Sequence, residues 1–234
     1  MMTECKYWAV IPAAGSGVRM ASALPKQYLP LAGKTVLEWA ITPFLRDVRC
    51  QLVVVVIAPD DQHWTQLALA HSKLQLAHGG AERVHSVLAG LQSLTHAEAN
   101  DWVMVHDAAR PCLSSEELDK LLAVAVNEDV GGILATPLAD TLKQANSGGC
   151  IENTVPRDYL WRALTPQLFK IGMLKNALQS ALAKGLMVTD ESSALEAMGY
   201  HPKLVEGRSD NLKITVPSDL HVAASILAAR NSCS

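Results

Sequence analysis

The sequence has few aromatic side chains, which make up 5% of its 234 residues, and it has no long hydrophobic run. Its longest apolar stretch, residues 52–58, is far shorter than the about 20 residues that a membrane-spanning helix needs. The N-terminal residues lack the basic start and the small-residue cleavage site of a secretory signal. We therefore expect a cytoplasmic protein with no membrane partner. Hydrophobic residues still make up 49% of the chain, which predicts a folded and mainly aliphatic core.

Cysteine and net basic charge are also scarce. The five cysteines are scattered, odd in number and never in a Cys-x-x-Cys pair, which argues against a disulfide framework or a zinc cluster. The chain has 20 basic and 23 acidic side chains, so it lacks the positive excess on which affinity for nucleic acid depends. Domains typically hold about 100–200 residues, so we interpret residues 1–234 as a single domain with no nucleic-acid partner.

Two kinds of apolar segment alternate along the chain. Continuous runs, which are typical of strands covered on both faces, occupy residues 7–11, 52–57, 102–105 and 133–135. Apolar residues at helical spacing occur at 84–91 and at 118–125, the second after a Ser114–Glu117 capping box. A helix at 189–198 and a strand at 204–205 extend the pattern. The alternation predicts an α/β fold, a three-layer sandwich with a mainly parallel sheet, whose ligands lie beyond the carboxyl ends of the strands.

Residues 137–157 depart from this alternation. They are polar, contain Gly148–Gly149 and have Pro156 near their end. Two weakly β-prone halves around a glycine turn favour a projecting hairpin, or β-arm, although the same composition also fits a plain surface loop.

A glycine-rich segment, PAAGSGVRM, follows the first predicted strand. Small residues let the backbone approach a ligand closely, and their N–H groups can bind phosphates. Met20 stands where a dinucleotide fingerprint needs Gly or Ala, and no Gly-Lys-Ser/Thr sequence closes a P-loop. Two cations, Arg19 and Lys26, follow the glycines, which fits nucleotidyl transfer because cations stabilise charge on the transferring phosphate. The alternative is that both are ordinary solvated side chains.

Three further positions are candidates for the same site. Asp107 stands where an apolar strand ends, so it could bind a ribose hydroxyl or Mg²⁺, or it could form a turn and pair with Arg110. Ser86 follows the turn at Gly79–Gly80 and is either a ligand contact or a solvated serine. Lys213 precedes a short apolar segment, and a lone lysine in that position is most often a surface residue.

The chain combines PAAGSGVRM, PKQY, GGAERVHSVLAGL, VHDAARPC, GGILATPLADTLK, LWRALTPQLF, TDESSALE, LVEGRSDNLKIT and VPSDL. In this combination it resembles the 2-C-methyl-D-erythritol 4-phosphate cytidylyltransferases of non-mevalonate isoprenoid biosynthesis, along nearly its whole length. The resemblance implies a Rossmann-like nucleotidyltransferase fold that forms a homodimer through the β-arm. It also implies Mg²⁺-dependent attack of methylerythritol phosphate on the α-phosphorus of CTP, which gives 4-diphosphocytidyl-2-C-methylerythritol and pyrophosphate.

The same resemblance implies roles for individual residues. The catalytic cations correspond to Arg19, Lys26, Arg157 and Lys213. The CTP pocket corresponds to Ala13, Ala14, Gly15, Gly80, Ser86, Asp107 and Ala108. The acceptor site corresponds to Asp107, Arg110, Thr141, Arg157 and Lys213, with Arg157 reaching across from the arm of the other subunit. Asp107 is the candidate metal ligand, directly or through water, and the CTP phosphates are the alternative. Ser16 and Val18 depart from the family pattern, which leaves the local triphosphate contacts open.

Two alternatives for the function stay open. A related cytidylyltransferase would use another polyol phosphate, such as ribitol 5-phosphate, as its acceptor. A non-catalytic nucleotide-binding module would bind CTP without turnover. We expect one activity only, because the sequence printed here leaves no room for the second catalytic domain that is fused to some members of the family.

Overall fold

The computed structural model describes residues 5–15, 24–67 and 69–231. Its strands, numbered in chain order, are β1 (Tyr7–Pro12), β2 (Pro30–Leu31), β3 (Lys34–Thr35), β4 (Cys50–Ile57), β5 (Leu74–His78), β6 (Trp102–Val105), β7 (Gly132–Pro137), β8 (Leu142–Ala145), β9 (Ile151–Val155), β10 (Trp161–Lys170) and β11 (Lys203–Glu206). Its helices are α1 (Val36–Arg46), α2 (Arg83–Ser93), α3 (Ser115–Asn127), α4 (Ile171–Ala183), α5 (Glu191–Glu196) and α6 (Ser218–Asn231). Short 3-10 helices occur at Lys26–Tyr28 and Trp64–Leu67.

Seven strands form the central sheet, in the order β11-β7-β10-β6-β1-β4-β5. β10 is antiparallel to both of its neighbours, and the other ladders are parallel. The chain runs from β1 to β4 and β5 on one side and then returns to β6 on the other side of β1. The strand order therefore reverses between β1 and β6, and the loops that follow these two strands diverge to leave a crevice.

Alternate side chains of the central strands pack against helices on opposite faces of the sheet. On β1, Ile11 joins the buried cluster that contains Phe44 of α1 and Leu121 of α3. Its neighbour Val10 joins the cluster that contains Leu91 of α2 and other side chains from α4. Both faces of the sheet are thus covered by helices, which explains the continuous apolar runs in the sequence and confirms the predicted three-layer α/β sandwich.

The helix boundaries follow local capping signals. The predicted capping box is present at the start of α3, where Ser114 accepts a hydrogen bond from the backbone N–H of Glu117. The helix predicted at 189–198 is shorter than expected and spans Glu191–Glu196. Asp190 is its N-cap, and Gly199, with a φ of 84°, follows its end. Within the described ranges, no helix combines the length and the apolarity that crossing a bilayer requires.

The segment predicted as an arm contains a two-stranded hairpin of β8 and β9, which is separate from the central sheet. The two strands are antiparallel, and Leu142 pairs with Val155 across the ladder. The hairpin interpretation is confirmed, and the plain-loop alternative is wrong. Most of its side chains are exposed, including the large apolar Ile151.

Candidate active site

A cleft opens beyond the carboxyl ends of β1 and β6 and beside the start of α2. The predicted nucleotide-binding residues lie together in its wall: Ala13, Ala14, Gly15, Gly80, Ser86, Asp107 and Ala108. Two of the predicted catalytic cations, Lys26 and Lys213, also line it. Residues separated by up to 200 positions in the sequence thus meet at one place, while the ligand that they bind stays a prediction.

The start of the glycine loop is held by Gln27, a residue that the sequence analysis did not single out. Its buried side-chain amide donates hydrogen bonds to the carbonyl oxygens of Ala13 (2.7 Å) and Gly15 (3.1 Å). The backbone N–H of Ala13 donates in turn to the carbonyl oxygen of Val56 on β4 (2.7 Å). These bonds fix the direction in which the loop leaves the sheet. Arg19, together with residues 16–23, lies outside the described residues, so its predicted role stays a prediction.

Lys26 and Lys213 approach the cleft from one side. The ammonium group of Lys26 donates a hydrogen bond to the carbonyl oxygen of Ile214 (3.2 Å), which brings it next to the backbone of Lys213. The ammonium group of Lys213 lies 2.9 Å from Oδ2 of Asp107. Although the side chain of Lys213 is 40% exposed, its charged end contacts a buried carboxylate, so it is not an ordinary surface lysine.

A further part of the wall comes from the segment 79–86, of which Gly80, Ala81, Glu82, Arg83 and Ser86 line the cleft. The chain leaves β5 with a hydrogen bond from the N–H of Gly79 to the carbonyl oxygen of Ile57 (2.8 Å) and enters α2 at Arg83. Within the described part of the chain, the N-cap Glu82 makes no capping hydrogen bond with its side chain. Backbone N–H groups at the positive end of α2 thus border the cleft, where they favour an anionic ligand. Ser86, one turn further on, is buried, so the solvated-serine alternative is wrong.

We expect a Gly79→Ala substitution to raise the KM for a nucleotide about tenfold, because the new methyl group would crowd this wall. An added Cβ would lie 2.4 Å from Oγ of Ser86 and 3.0 Å from Cβ of Ala14. Steady-state kinetics at varied nucleotide concentration measure the effect. Gly148→Ala is the matched control, since its Cβ would lie 3.4 Å from Oδ1 of Asn146. An unchanged KM in the Gly79→Ala variant would contradict the assignment of this wall.

Asp107 is the charged centre of the site. Its buried carboxylate is surrounded by three cations: Oδ1 lies 3.2 Å from Arg83, and Oδ2 lies 2.9 Å from Lys213 and 3.4 Å from Arg110. Burial alone would raise the pKa of Asp107, but the charges of these cations outweigh it and hold the pKa well below its ordinary value. The predicted pairing with Arg110 is confirmed; Asp107 also lines the cleft, and its binding to a ribose hydroxyl or Mg²⁺ stays a prediction.

A buried hydrogen-bond chain that the sequence did not reveal supports the backbone of Asp107. Nε2 of His106 lies 3.1 Å from the carbonyl oxygen of Arg110, which can only accept, so Nε2 carries the proton. Nδ1 is then the acceptor for the hydroxyl of Thr165 (3.0 Å), and this hydroxyl accepts from the N–H of Asp107 (3.0 Å). The neutral imidazole therefore holds β6 and β10 together directly behind the carboxylate.

This arrangement predicts a loss of stability in acid. Burial lowers the pKa of His106 to about 4, against an ordinary value of about 6.5. Between these pH values the unfolded chain binds a proton that the folded chain does not. The contribution of the neutral His106 to the free energy of unfolding is therefore complete above about pH 6.5 and is lost as the pH falls towards 4. Urea unfolding is expected to show a free energy of unfolding lower by ~2 kcal/mol at pH 5 than at pH 7.5 from this group.

His106→Gln should remove that part of the pH dependence, whereas His201→Gln, at an exposed position, should leave it unchanged. If the stabilities of the wild-type protein and of His106→Gln fell equally between the two pH values, the neutral buried imidazole would be ruled out.

A second pocket adjoins the cleft, and the two share Arg83, Asp107 and Lys213 in their walls. The second pocket also contains Arg110, Thr165, Gln167 and Asp190. Arg110, a predicted acceptor-site residue, is held there by hydrogen bonds to the carbonyl oxygens of Asn211 (2.8 Å) and Ala163 (3.5 Å). Two ligands could therefore meet at Asp107 and Lys213.

Thr141 and Arg157 do not lie in either pocket of their own chain. Both are exposed on the arm, where the guanidinium group of Arg157 donates a hydrogen bond to the carbonyl oxygen of Ala139. Among the described residues, no group of three or more His, Cys, Asp or Glu side chains could hold a metal ion. Asp107 is therefore a single carboxylate beside cations rather than part of a metal-binding cluster.

The fold and the site define an α/β nucleotidyltransferase: the start of the glycine-rich segment and the N-terminus of α2 border a cleft that is also lined by Lys26 and Lys213. The model of the family described as 2-C-methyl-D-erythritol 4-phosphate cytidylyltransferase matches residues 7–229. The chain belongs to this family.

Individual relatives agree with this assignment. The chain is 51% identical over 224 residues to a 2-C-methyl-D-erythritol 4-phosphate cytidylyltransferase of Aliivibrio fischeri, covering 95% of this chain and 94% of the relative. It is 53% identical over 218 residues to the enzyme of the same name from Serratia proteamaculans, covering 92% of each chain. A solved 4-diphosphocytidyl-2C-methyl-D-erythritol synthase is similar with a TM-score of 0.83 and 41% identity, over 95% of this chain and 99% of that one. A solved 2-C-methyl-D-erythritol 4-phosphate cytidylyltransferase of Francisella tularensis gives a TM-score of 0.82 and 35% identity, over 94% and 99%.

Proposed function

We propose that this chain transfers the cytidylyl group of CTP to 2-C-methyl-D-erythritol 4-phosphate, giving 4-diphosphocytidyl-2-C-methyl-D-erythritol and pyrophosphate. One observation carries the proposal. Two adjoining pockets share Arg83, Asp107 and Lys213, so a nucleotide in one and a phosphorylated acceptor in the other would meet beside the same cations. The family membership supplies the identity of the two substrates.

The nucleotide occupies the cleft between the glycine loop and residues 79–86. Backbone groups of Ala13, Ala14, Gly15 and Gly80 approach the nucleotide closely, since their side chains are small or absent. The positive end of α2 and the ammonium group of Lys26 offset the negative charge of the triphosphate. Arg19 would add a further cation to this side.

The acceptor occupies the second pocket, with its phosphate directed towards Lys213. A phosphate oxygen of the acceptor attacks the α-phosphorus of CTP and forms a new phosphoanhydride bond. The bond from the α-phosphorus to the oxygen that bridges to the β-phosphorus breaks, and pyrophosphate leaves with that oxygen and the electron pair. The acceptor phosphate is already ionised near pH 7, so no general base is required. The cations lower the barrier by offsetting the repulsion between two anions.

A divalent cation fits this site as a companion of CTP. Asp107 already faces three cations, so a Mg²⁺ ion bound directly to it would experience their repulsion. Mg²⁺ commonly keeps several waters and binds substrate phosphates, so Asp107 would contact its hydration shell. The ion supplies charge neutralisation on the triphosphate.

The arm completes the acceptor site of a partner subunit. Thr141 and Arg157 lie outside the pockets of their own chain. The arm also exposes Ile151 to solvent, and Tyr159, two residues beyond the arm, is 96% exposed. Apolar side chains exposed on a projecting hairpin are typical of an interface. We therefore include a homodimer in the proposal, with Arg157 of each arm facing the acceptor phosphate of the other subunit. A cytoplasmic location stays a prediction.

Pyrophosphate release tests the proposed reaction. The protein is incubated with CTP and Mg²⁺ and with either 2-C-methyl-D-erythritol 4-phosphate or ribitol 5-phosphate. We expect release with the first acceptor and little with the second. Release with ribitol 5-phosphate alone would identify a different cytidylyltransferase. Binding of CTP without release with either acceptor would identify a nucleotide-binding module.

A further inference from the structure

We infer that Glu191 is a positioning residue for transfer and that it acts through Arg83. This inference rests on the proposed function. Within the described residues, Glu191 lines neither pocket, yet both of its carboxylate oxygens contact Arg83, which lines both. Oε1 of Glu191 lies 2.5 Å from Nη1 of Arg83, and Oε2 lies 3.0 Å from Nη2.

Arg83 transmits this constraint to Asp107. Its Nη2 donates to Oδ1 of Asp107 (3.2 Å) as well as to Glu191. Oδ2 of Asp107 is thereby left facing Lys213 and Arg110. The planar guanidinium group can hold two carboxylates in a fixed orientation, whereas an ammonium group cannot. The chain of contacts Glu191–Arg83–Asp107–Lys213 therefore fixes the ammonium group of Lys213, a proposed catalytic cation, at the junction of the two pockets.

The anchoring of α5 explains why Glu191 can serve as a fixed support. The side chain of Glu191 is 1% exposed, and the residues on either side of Glu191 are bound to Gln167 of β10. The amide of Gln167 donates to Oδ2 of Asp190 (2.8 Å), and its carbonyl accepts from the N–H of Ser192 (2.9 Å). The start of α5 is thus bound to the central sheet. Through its contact with Arg83, Glu191 also holds the start of α2, which borders the cleft.

Glu191→Gln tests the inference because it keeps the shape of the side chain and removes its charge. In the purified full-length protein, pyrophosphate release should show kcat reduced about 10- to 100-fold, with the KM for CTP within about twofold of wild type. Glu191→Asp keeps the charge and should recover part of kcat. Asp47→Asn is the matched control, since Asp47 is a mostly buried carboxylate paired with Arg49 away from both pockets. It should lower thermal stability and leave kcat unchanged.

A folded Glu191→Gln variant with kcat within twofold of wild type would overturn the inference, as would a rise in KM at constant kcat. If this variant does not fold, Arg83→Lys replaces it, with the same loss of kcat expected and the same results counting against the inference. The wild-type enzyme is assayed in parallel. Failure of wild type to release pyrophosphate counts against the proposed function, whereas equal turnover by wild type and variant counts against the positioning role alone.

Discussion

Lys213→Ala is expected to lower kcat for cytidylyl transfer by ~10²–10³, by analogy with the loss of one fixed donor to a developing anion. The ammonium group of Lys213 lies at the junction of the two pockets, 2.9 Å from Asp107. An alanine there would leave the transferring phosphate with one cation fewer. Asp107 would keep Arg83 and Arg110 as partners, so the protein should remain folded. Pyrophosphate release under saturating substrates measures the loss.

Lys203→Ala provides the comparison for a lysine outside the site. Lys203 lies on β11 with its side chain 61% exposed, and it pairs with Glu128 at 3.5 Å. Exposed pairs of this kind contribute ~0–1 kcal/mol to stability, so we expect no change in kcat. If Lys213→Ala retained more than about half of the wild-type kcat, Lys213 would have no catalytic role.

Mixing two inactive variants should restore activity if the arm serves a partner subunit. Arg157→Ala and Lys213→Ala each remove one proposed cation, the first from the arm and the second from the cleft. In a mixed dimer, the subunit with a native Lys213 would receive the native Arg157 of its partner. One of the two sites of the dimer would therefore be intact. Random pairing after co-expression should restore about a quarter of the wild-type activity.

Lys26→Ala mixed with Lys213→Ala is the control for this experiment. Both lysines line the cleft of one chain, so no mixed dimer of these variants would contain an intact site. Suppose that the Arg157→Ala and Lys213→Ala mixture is no more active than the separate variants. That result would mean that the arm does not complete the partner's site. Wild-type activity in Arg157→Ala alone would remove the arm from the reaction altogether.

The fold was predictable because its signals are local. Continuous apolar runs in β1 and β4, the helical spacing of α2 and the capping box at Ser114 each depend on nearby residues. The glycine loop and Asp107 were also visible, since each follows directly after a strand. The limits of α5 were less predictable, because a turn that leads to Gly199 ends the helix at Glu196, before its apolar pattern ends.

The support of the site was not visible in the sequence. Three polar residues that support the site have no distinctive local pattern: Gln27, Thr165 and Glu191. Each of them binds a partner too far away in the chain to belong to the same short motif. Thr165 contacts His106 across 59 positions, and Glu191 contacts Arg83 across 108. Only the packing of β6, β10, α2 and α5 brings these groups together. The motif TDESSALE contained Glu191 but gave no indication of its partner.

A crystal structure with CTP and Mg²⁺ tests the central claim most directly, namely that the two pockets meet at the reacting phosphate. We predict CTP between the glycine loop and residues 79–86, with its α-phosphate beside Lys26 and Lys213 and open towards the second pocket. A triphosphate bound elsewhere, or an α-phosphate turned away from the pocket that contains Arg110, would contradict the proposed reaction geometry.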